Sequence, residues 1–311
     1  MRRGVLLGLV LVVGLALAHV TAASAAAEQL LVCNFFSDTV SRFDLATGQY
    51  LGTLQTGVGL DGPLAARLGP DGLLYVASEG SHSIQRYDPG SGAYIDDFVA
   101  SGSGGLLQPT GMTWGPDGHL YVPSFGLHSV LKYDGQTGAP LGEFVAPFSG
   151  QLSGPDNGTT FGPDGHLWVP SYNSNRICRY DGQSGAFLNS FAVGRPRVME
   201  FRDGVVYVTS ESLDAVRRFN ATTFASQGFF VASGAGGLDT PVGMVFAPDG
   251  VLYVTSATND NILKYDGQTG AFLGEFAAAG VSGDGPVFLT VIPEPGTMAL
   301  LVIAAAAWRR R

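Results

Sequence analysis

The sequence predicts an all-β ring of six four-stranded blades, a six-bladed β-propeller, and three observations predict it. A Pro-Asp-Gly turn recurs at Asp71, Asp117, Asp164 and Asp249, with a degenerate copy at Arg202-Asp203-Gly204, in steps of 46, 47, 39 and 46 residues. An aromatic followed by Asp or Asn falls at Phe43, Tyr87, Tyr133, Tyr180, Phe219 and Tyr265, in steps of 44, 46, 47, 39 and 46. Two markers that keep one period, with several short strands in each unit, signal a repeat architecture of this kind. The third observation is that the first repeat is incomplete and its missing strand stands at the far end of the body.

The chain opens with Arg2 and Arg3, an apolar run from Gly4 to Ala18, and small residues through Ala27. A positive start, a short apolar stretch and an Ala-x-Ala site make residues 1–27 a secretory signal peptide, so the mature protein is exported. The body follows over residues 28–292. Its first strand, Leu30-Leu-Val-Cys33, begins almost at once and takes the second place in a blade.

A complete unit reads as four strands. Strand A is Gly111–Trp114, strand B His119–Val122, strand C Val130–Tyr133 and strand D Leu141–Phe144. Gly115-Pro-Asp-Gly118 joins A to B and Asp134-Gly-Gln-Thr-Gly138 joins C to D. Proline followed by Asp-Gly suits tight turns, because glycine supplies the positive φ they need. Short runs of Val, Leu, Tyr and Phe between such turns are strand composition. No stretch of the body sustains a 3.6-residue apolar period, so helix content is expected to be very low. Gly285-Pro-Val-Phe-Leu-Thr-Val291 supplies strand A of the first blade, which closes the ring and removes its exposed edges.

Five of the 17 basic residues lie in the two terminal segments, as does one of the 26 acidic ones, leaving 12 against 25 and a body near −13. Such a charge argues against nucleic acid or an anionic membrane as a partner bound through bulk charge. The two cysteines, Cys33 and Cys178, fall in the first and fourth repeats. Those blades face each other across the ring, beyond the reach of a disulfide, so both are expected as buried free thiols.

The pattern G-P-D-G-x-L-Y-V with I-x-[KR]-Y-D resembles the NHL-repeat propellers. It is also similar to gluconolactonase-like lactonases and streptogramin B lyases, whose repeats carry a turn like Gly162-Pro-Asp-Gly-His-Leu-Trp168. The resemblance covers about residues 28 to 292 and implies fold more than activity. The tail, residues 293–311, has Pro293-Glu294-Pro295, an apolar segment and Arg309, Arg310 and Arg311, and it resembles a PEP-CTERM sorting signal. That resemblance implies an exosortase-type membrane protease as partner, and a location in the cell envelope or outside the cell after initial anchoring in the inner membrane. The terminal arginines would keep the C-terminus cytoplasmic. As a short helix, Gly296 to Trp308 would be about 20 Å long against a ~30 Å bilayer core, a gap that snorkelling arginines can cover.

In a propeller the A–B and C–D turns share one face, and the B–C turns share the other with the D–A connections. The aspartates of the first face are expected to bond their own turn backbones, and His119 and His166 to be surface turn residues. On the second face, equivalent positions give a polar ring of Asp38, His82, His128, Asn175, Asp214 and Asp260, a candidate ligand-binding rim. Nearer the axis stand Asp156, Asn157 and Arg197, with Leu64, Thr110 and Val242 at other strand A entrances. Lactonase-like propellers hold an axial cation on Glu, Asn and Asp. Here only Asp156 and Asn157 match, beside a repelling arginine, so no metal is expected, with Ca2+ or Mg2+ as the alternative. The lyase resemblance implies a histidine base, for which His82 or His128 is available, with Glu79 or Glu211 as a carboxylate. No G-x-S-x-G, HExxH or P-loop signature is present. The sequence therefore predicts a non-catalytic, surface-sorted module binding a glycan or a protein through its loop-rich face. The alternative is an exported lactonase or lyase with its site there.

Overall fold

A computed structural model of the chain describes residues 28–54, 59–278, 280–281 and 283–293. It contains six four-stranded antiparallel sheets, five formed from consecutive strands. The sixth joins the two ends of the body: Pro286–Ile292 lies beside Gln29–Asn34, followed by Thr39–Asp44 and Tyr50–Thr53. Gln29 pairs with Ile292 and Cys33 with Phe288, so the closing strand completes the first blade as expected. The signal peptide and residues 294–311, including Glu294, Pro295, the apolar segment and Arg309 to Arg311, lie outside the described residues. Among the described residues no helix is long and apolar enough to cross a membrane.

The expected unit is present with small changes of boundary. In the third blade strand A shortens to Thr113–Trp114, strand B runs Leu120–Ser124, strand C Ser129–Tyr133 and strand D Pro140–Val145. Among the described residues helix is confined to short 3-10 turns, such as Ser149–Gln151 in a D–A connection. Cys33 and Cys178 are free and buried.

The two sequence landmarks are the two halves of the packing. The strand C aromatics Phe43, Tyr87, Tyr133, Tyr180, Phe219 and Tyr265 are all buried. Where the residue is tyrosine its hydroxyl still finds an acceptor: Tyr133 and Tyr180 donate to the carbonyls of Ser103 and Ser149 at 2.8 Å. A buried phenol requires such a partner. The Pro-Asp-Gly aspartates serve strand B in the same way. Asp117 takes the His119 backbone N–H at 3.1 Å and the Tyr121 hydroxyl at 2.9 Å, and Asp71 and Asp249 repeat the pair with Tyr75 and Tyr253. The strand B rings Tyr75, Tyr121, Trp168 and Tyr207 then sit edge-on to aromatics of their own and the next blade, and Tyr253 to Phe276 of its own. Tyr121, for example, lies 4.7 Å from Phe144 and 4.9 Å from Phe161. Such pairs contribute about 0.5–1.5 kcal/mol each beyond area burial.

Candidate functional site

The B–C turns are built the same way six times. Each begins at the last residue of strand B, which is Ser78, Ser124, Ser171, Ser210 or Ser256, with Asn34 in the first blade. The serine hydroxyls bond the D–A connection of their own blade; Ser124 Oγ donates to the Leu107 carbonyl at 2.6 Å and Ser256 Oγ to that of Asp239 at 3.0 Å. Four residues later comes the expected polar ring. Asp38, His82, His128, Asn175, Asp214 and Asp260 all have left-handed backbones, with φ between 46° and 56°. Asn and Asp tolerate that region better than most residues.

Those six side chains all bond the next blade, although Asp38 and Asn175 also remain exposed to solvent. Asp38 Oδ1 accepts the Gly62 N–H at 2.8 Å, and His82 Nδ1 that of Gln108 at 3.1 Å. His128 Nδ1 accepts from Gly154 at 3.0 Å, and Asn175 Oδ1 from Arg195 at 2.9 Å. Asp214 Oδ1 accepts from Thr240 at 2.9 Å, and Asp260 Oδ1 from Gly285 at 2.7 Å. Every donor directly precedes a proline (Pro63, Pro109, Pro155, Pro196, Pro241, Pro286) and itself has positive φ. The ring is thus a set of six latches between consecutive blades, and neither histidine lines the axial cavity.

The residue three positions earlier in each turn does face the axis. Those residues are Phe35, Glu79, Phe125, Tyr172, Glu211 and Ala257. With the residues after the prolines, including Leu64, Thr110, Arg197, Val242 and Val287, they line a cup of about 350 Å³ at the mouth of the ring. Three of its blades contribute aromatic rings, and Phe36 adds another that is 76% exposed. Sequence reading singled out Glu79 and Glu211 but missed the ring they belong to. The signal was available: it is the position after the repeated serine, where the six copies disagree.

On one side of the cup an ionic network surrounds Arg197, whose Nε lies near Glu211 without completing a hydrogen bond. Arg197 Nη1 lies 2.6 Å from Asp156 Oδ2, its Nε 3.1 Å from Glu211 Oε2, and its guanidinium 4.7 Å from the centre of the Tyr172 ring. Glu211 Oε1 accepts the Tyr172 hydroxyl at 2.6 Å and pairs with Arg195 at 3.2 Å. Burial opposes the charge of Arg197, but Asp156 and Glu211 outweigh it and hold its pKa above the ordinary value. Burial, aided by the Glu211 bond, raises that of Tyr172. Across the cup Glu79 is pushed up to about 7 by burial first and by Asp156 second.

Of the two residues of cation-ligand type, Asp156 has both oxygens engaged, while the buried Asn157 Oδ1 meets no hydrogen-bond donor among the described residues. Asp156 Oδ1 takes the Asn157 N–H at 2.7 Å while Oδ2 holds Arg197. The Asn157 amide reaches across the axis to the carbonyls of Leu64 and Val287 at 3.3 and 3.2 Å. The donor set does not fit a divalent cation, which needs several free oxygens and no guanidinium in contact with one of them. Among the described residues no three His, Cys, Asp or Glu side chains converge as metal ligands.

A β-propeller with an axial cup at one end, continued by a short tail from the other, is the class these features define. Residues 291–311 match the PEP-CTERM protein-sorting motif. The match indicates a protein that is exported and held in the membrane by its C-terminus before sorting, and it implies processing by exosortase, a membrane protein. Among curated proteins none matches. A Bacteroides caccae protein of unknown function resembles the chain with a TM-score of 0.65 and 15% identity, over 86% of this chain and 100% of that one. A chain of the nidogen/laminin complex resembles it with a TM-score of 0.64 and 13% identity, over 85% and 98%. At such identities the likeness is one of fold alone.

Proposed function

We propose that this protein is a non-catalytic binding module displayed at the cell envelope, which holds a matrix glycan or a protein in its axial cup. One observation carries the reading. Within a single chain the six copies of the turn keep a serine or asparagine, and four residues later an Asp, His or Asn. Between them, at the position lining the cup, they hold Phe, Glu, Phe, Tyr, Glu and Ala. The repeated positions serve folding, and the divergent position after the serine or asparagine lines the cavity.

The tether supports the same reading. Strand A runs from the cup end toward the turn face, so the body leaves the ring at Ile292 on the face opposite the cup. Only Pro293 to Pro295 separate it from the apolar segment, a reach of about 10 Å when fully extended. While the tail is in the membrane, the turn face stays close to the lipid and the cup opens outward. The test is retention on extracted exopolysaccharide and on envelope extracts, comparing the native protein with Tyr172→Ala and Phe125→Ala. At least a tenfold loss of retention in folded variants is expected. Retention unaffected by both substitutions rejects the cup as the site.

A further inference from the structure

We propose that the cup takes its ligand through a protonated amine, with the Glu79 carboxylate as counter-ion and the rings of Phe35, Phe36 and Phe125 as its wall. This rests on the cup being the binding site and adds the chemistry of what enters it.

The charges around the cavity do not balance. Asp156, Glu211 and Glu79 face two guanidiniums, those of Arg195 and Arg197. Both oxygens of Asp156 and both of Glu211 are occupied by the contacts already described. Glu79 lines the cup half-buried, and among the described residues no hydrogen-bond donor or cation reaches its carboxylate. An ionised carboxylate partly removed from water without a partner is unfavourable. The raised proton affinity of Glu79 reflects that cost, with Asp61 and Asp156 adding to it and Arg197 opposing it. A ligand ammonium supplies the absent charge. A neutral group leaves it absent, and an anion adds a repulsion.

The aromatic rings agree with this choice. The face of Tyr172 is taken by Arg197 and, at 5.4 Å, by Arg195. Among the described residues no cation lies over Phe125, which meets the Tyr172 ring at 6.4 Å, and Phe35 meets Phe36 edge-to-face at 5.2 Å. Phenyl faces beside an unpaired carboxylate favour the polarised carbons next to an ammonium nitrogen. The excess negative charge of the body draws cations toward it. A cup of about 350 Å³ admits one terminal group, such as an amino sugar unit of a glycan or the end of a lysine side chain. Both offer the same ammonium.

Calorimetric titration of the detergent-purified protein at pH 7.5 tests this in two arms. One compares Nα-acetyl-lysine amide with its Nε-acetylated form, the other glucosamine with N-acetylglucosamine. At least one amine is expected to bind tenfold or more tighter than its acetylated counterpart, and the arm that shows it identifies the source. Glu79→Gln should erase the preference, with Glu79→Asp as a second variant should the first fail to fold. The lysine probe keeps its charge throughout, so its affinity should rise with pH through about 7 as Glu79 ionises. Equal binding of amine and amide, a preference that survives Glu79→Gln, or no binding by either amine overturns the inference. Equal binding that Phe125→Ala abolishes would discard the amine while keeping the cup as the site.

Discussion

Arg197 Nη1 and Asp156 Oδ2 meet at 2.6 Å between the fourth and fifth blades, and Asp156 keeps no exposed surface. Removing one partner of such a pair leaves a buried charge alone, which costs far more than the pair contributes. Arg197→Ala should therefore lower stability by about 3–5 kcal/mol in urea unfolding. Arg197→Met combined with Asp156→Asn should recover most of the loss, since Asn keeps an acceptor for the Asn157 N–H. A double variant as unstable as the single one would show that the unpaired charge of Asp156 is not the source of the loss.

The latches make a second expectation. His128→Ala removes the acceptor of the Gly154 N–H and places alanine at φ 54°. The cost should be about 1–3 kcal/mol for the unpaired donor. His128→Asn should restore most of it, because Asn175 does the same work in the next blade. Equal melting of the Ala and Asn variants would refute the latch.

Two sets of carboxyl groups oppose each other in pH dependence. Hydrogen bonds from Thr47, Thr137, Ser184 and Thr269 hold Asp44, Asp134, Asp181 and Asp266 below the usual carboxylate range. Their contribution is present above the unfolded pKa and is lost as pH falls through the lower folded values. Burial instead pushes Glu79 and Glu200 up to about 7. For these the folded state binds more protons, so stability falls as pH rises from about 4.5 toward 7. The melting temperature should be highest between about pH 4 and pH 5. Glu200→Gln should flatten the decline toward neutrality, by on the order of 1–2 kcal/mol. A melting temperature that rises from pH 5 to pH 7.5 would contradict this account.

The ends of the body respond differently to deletion. Removing 286–291 takes away the strand paired with Leu30 to Asn34 and should sharply lower the melting temperature. Removing 293–311 leaves every described strand intact. It should release the body to the medium with its melting temperature unchanged. Membrane retention after that deletion would count against the sorting role of the tail.

Strand order, blade number and the closing strand were legible in the residues because turns and alternating apolar runs are local. The Pro-Asp-Gly turn acts within a few residues of itself, as Asp117 shows with His119 and Tyr121, and so does the Asp after the strand C aromatic, as Asp134 shows with the Thr137 N–H. The lining of the cup was legible only to within three residues. Chemistry alone favours His128 over Phe125 as a ligand-facing side chain. The left-handed backbone at His128 turns its ring toward Gly154 instead, while Phe125 lines the cavity.

By itself, then, the sequence determined a ring of six sheets, its closure by the far end of the chain, and the sorting tail, since periodicity and turn chemistry are written in order along it. The tertiary structure alone decided which turn residue faces the axis, that Arg197 neutralises Asp156, and that among the described residues no donor or cation meets the Glu79 carboxylate. Those relations join different blades, 41 residues apart for Arg197 and Asp156. Only closing the ring sets the distances between them.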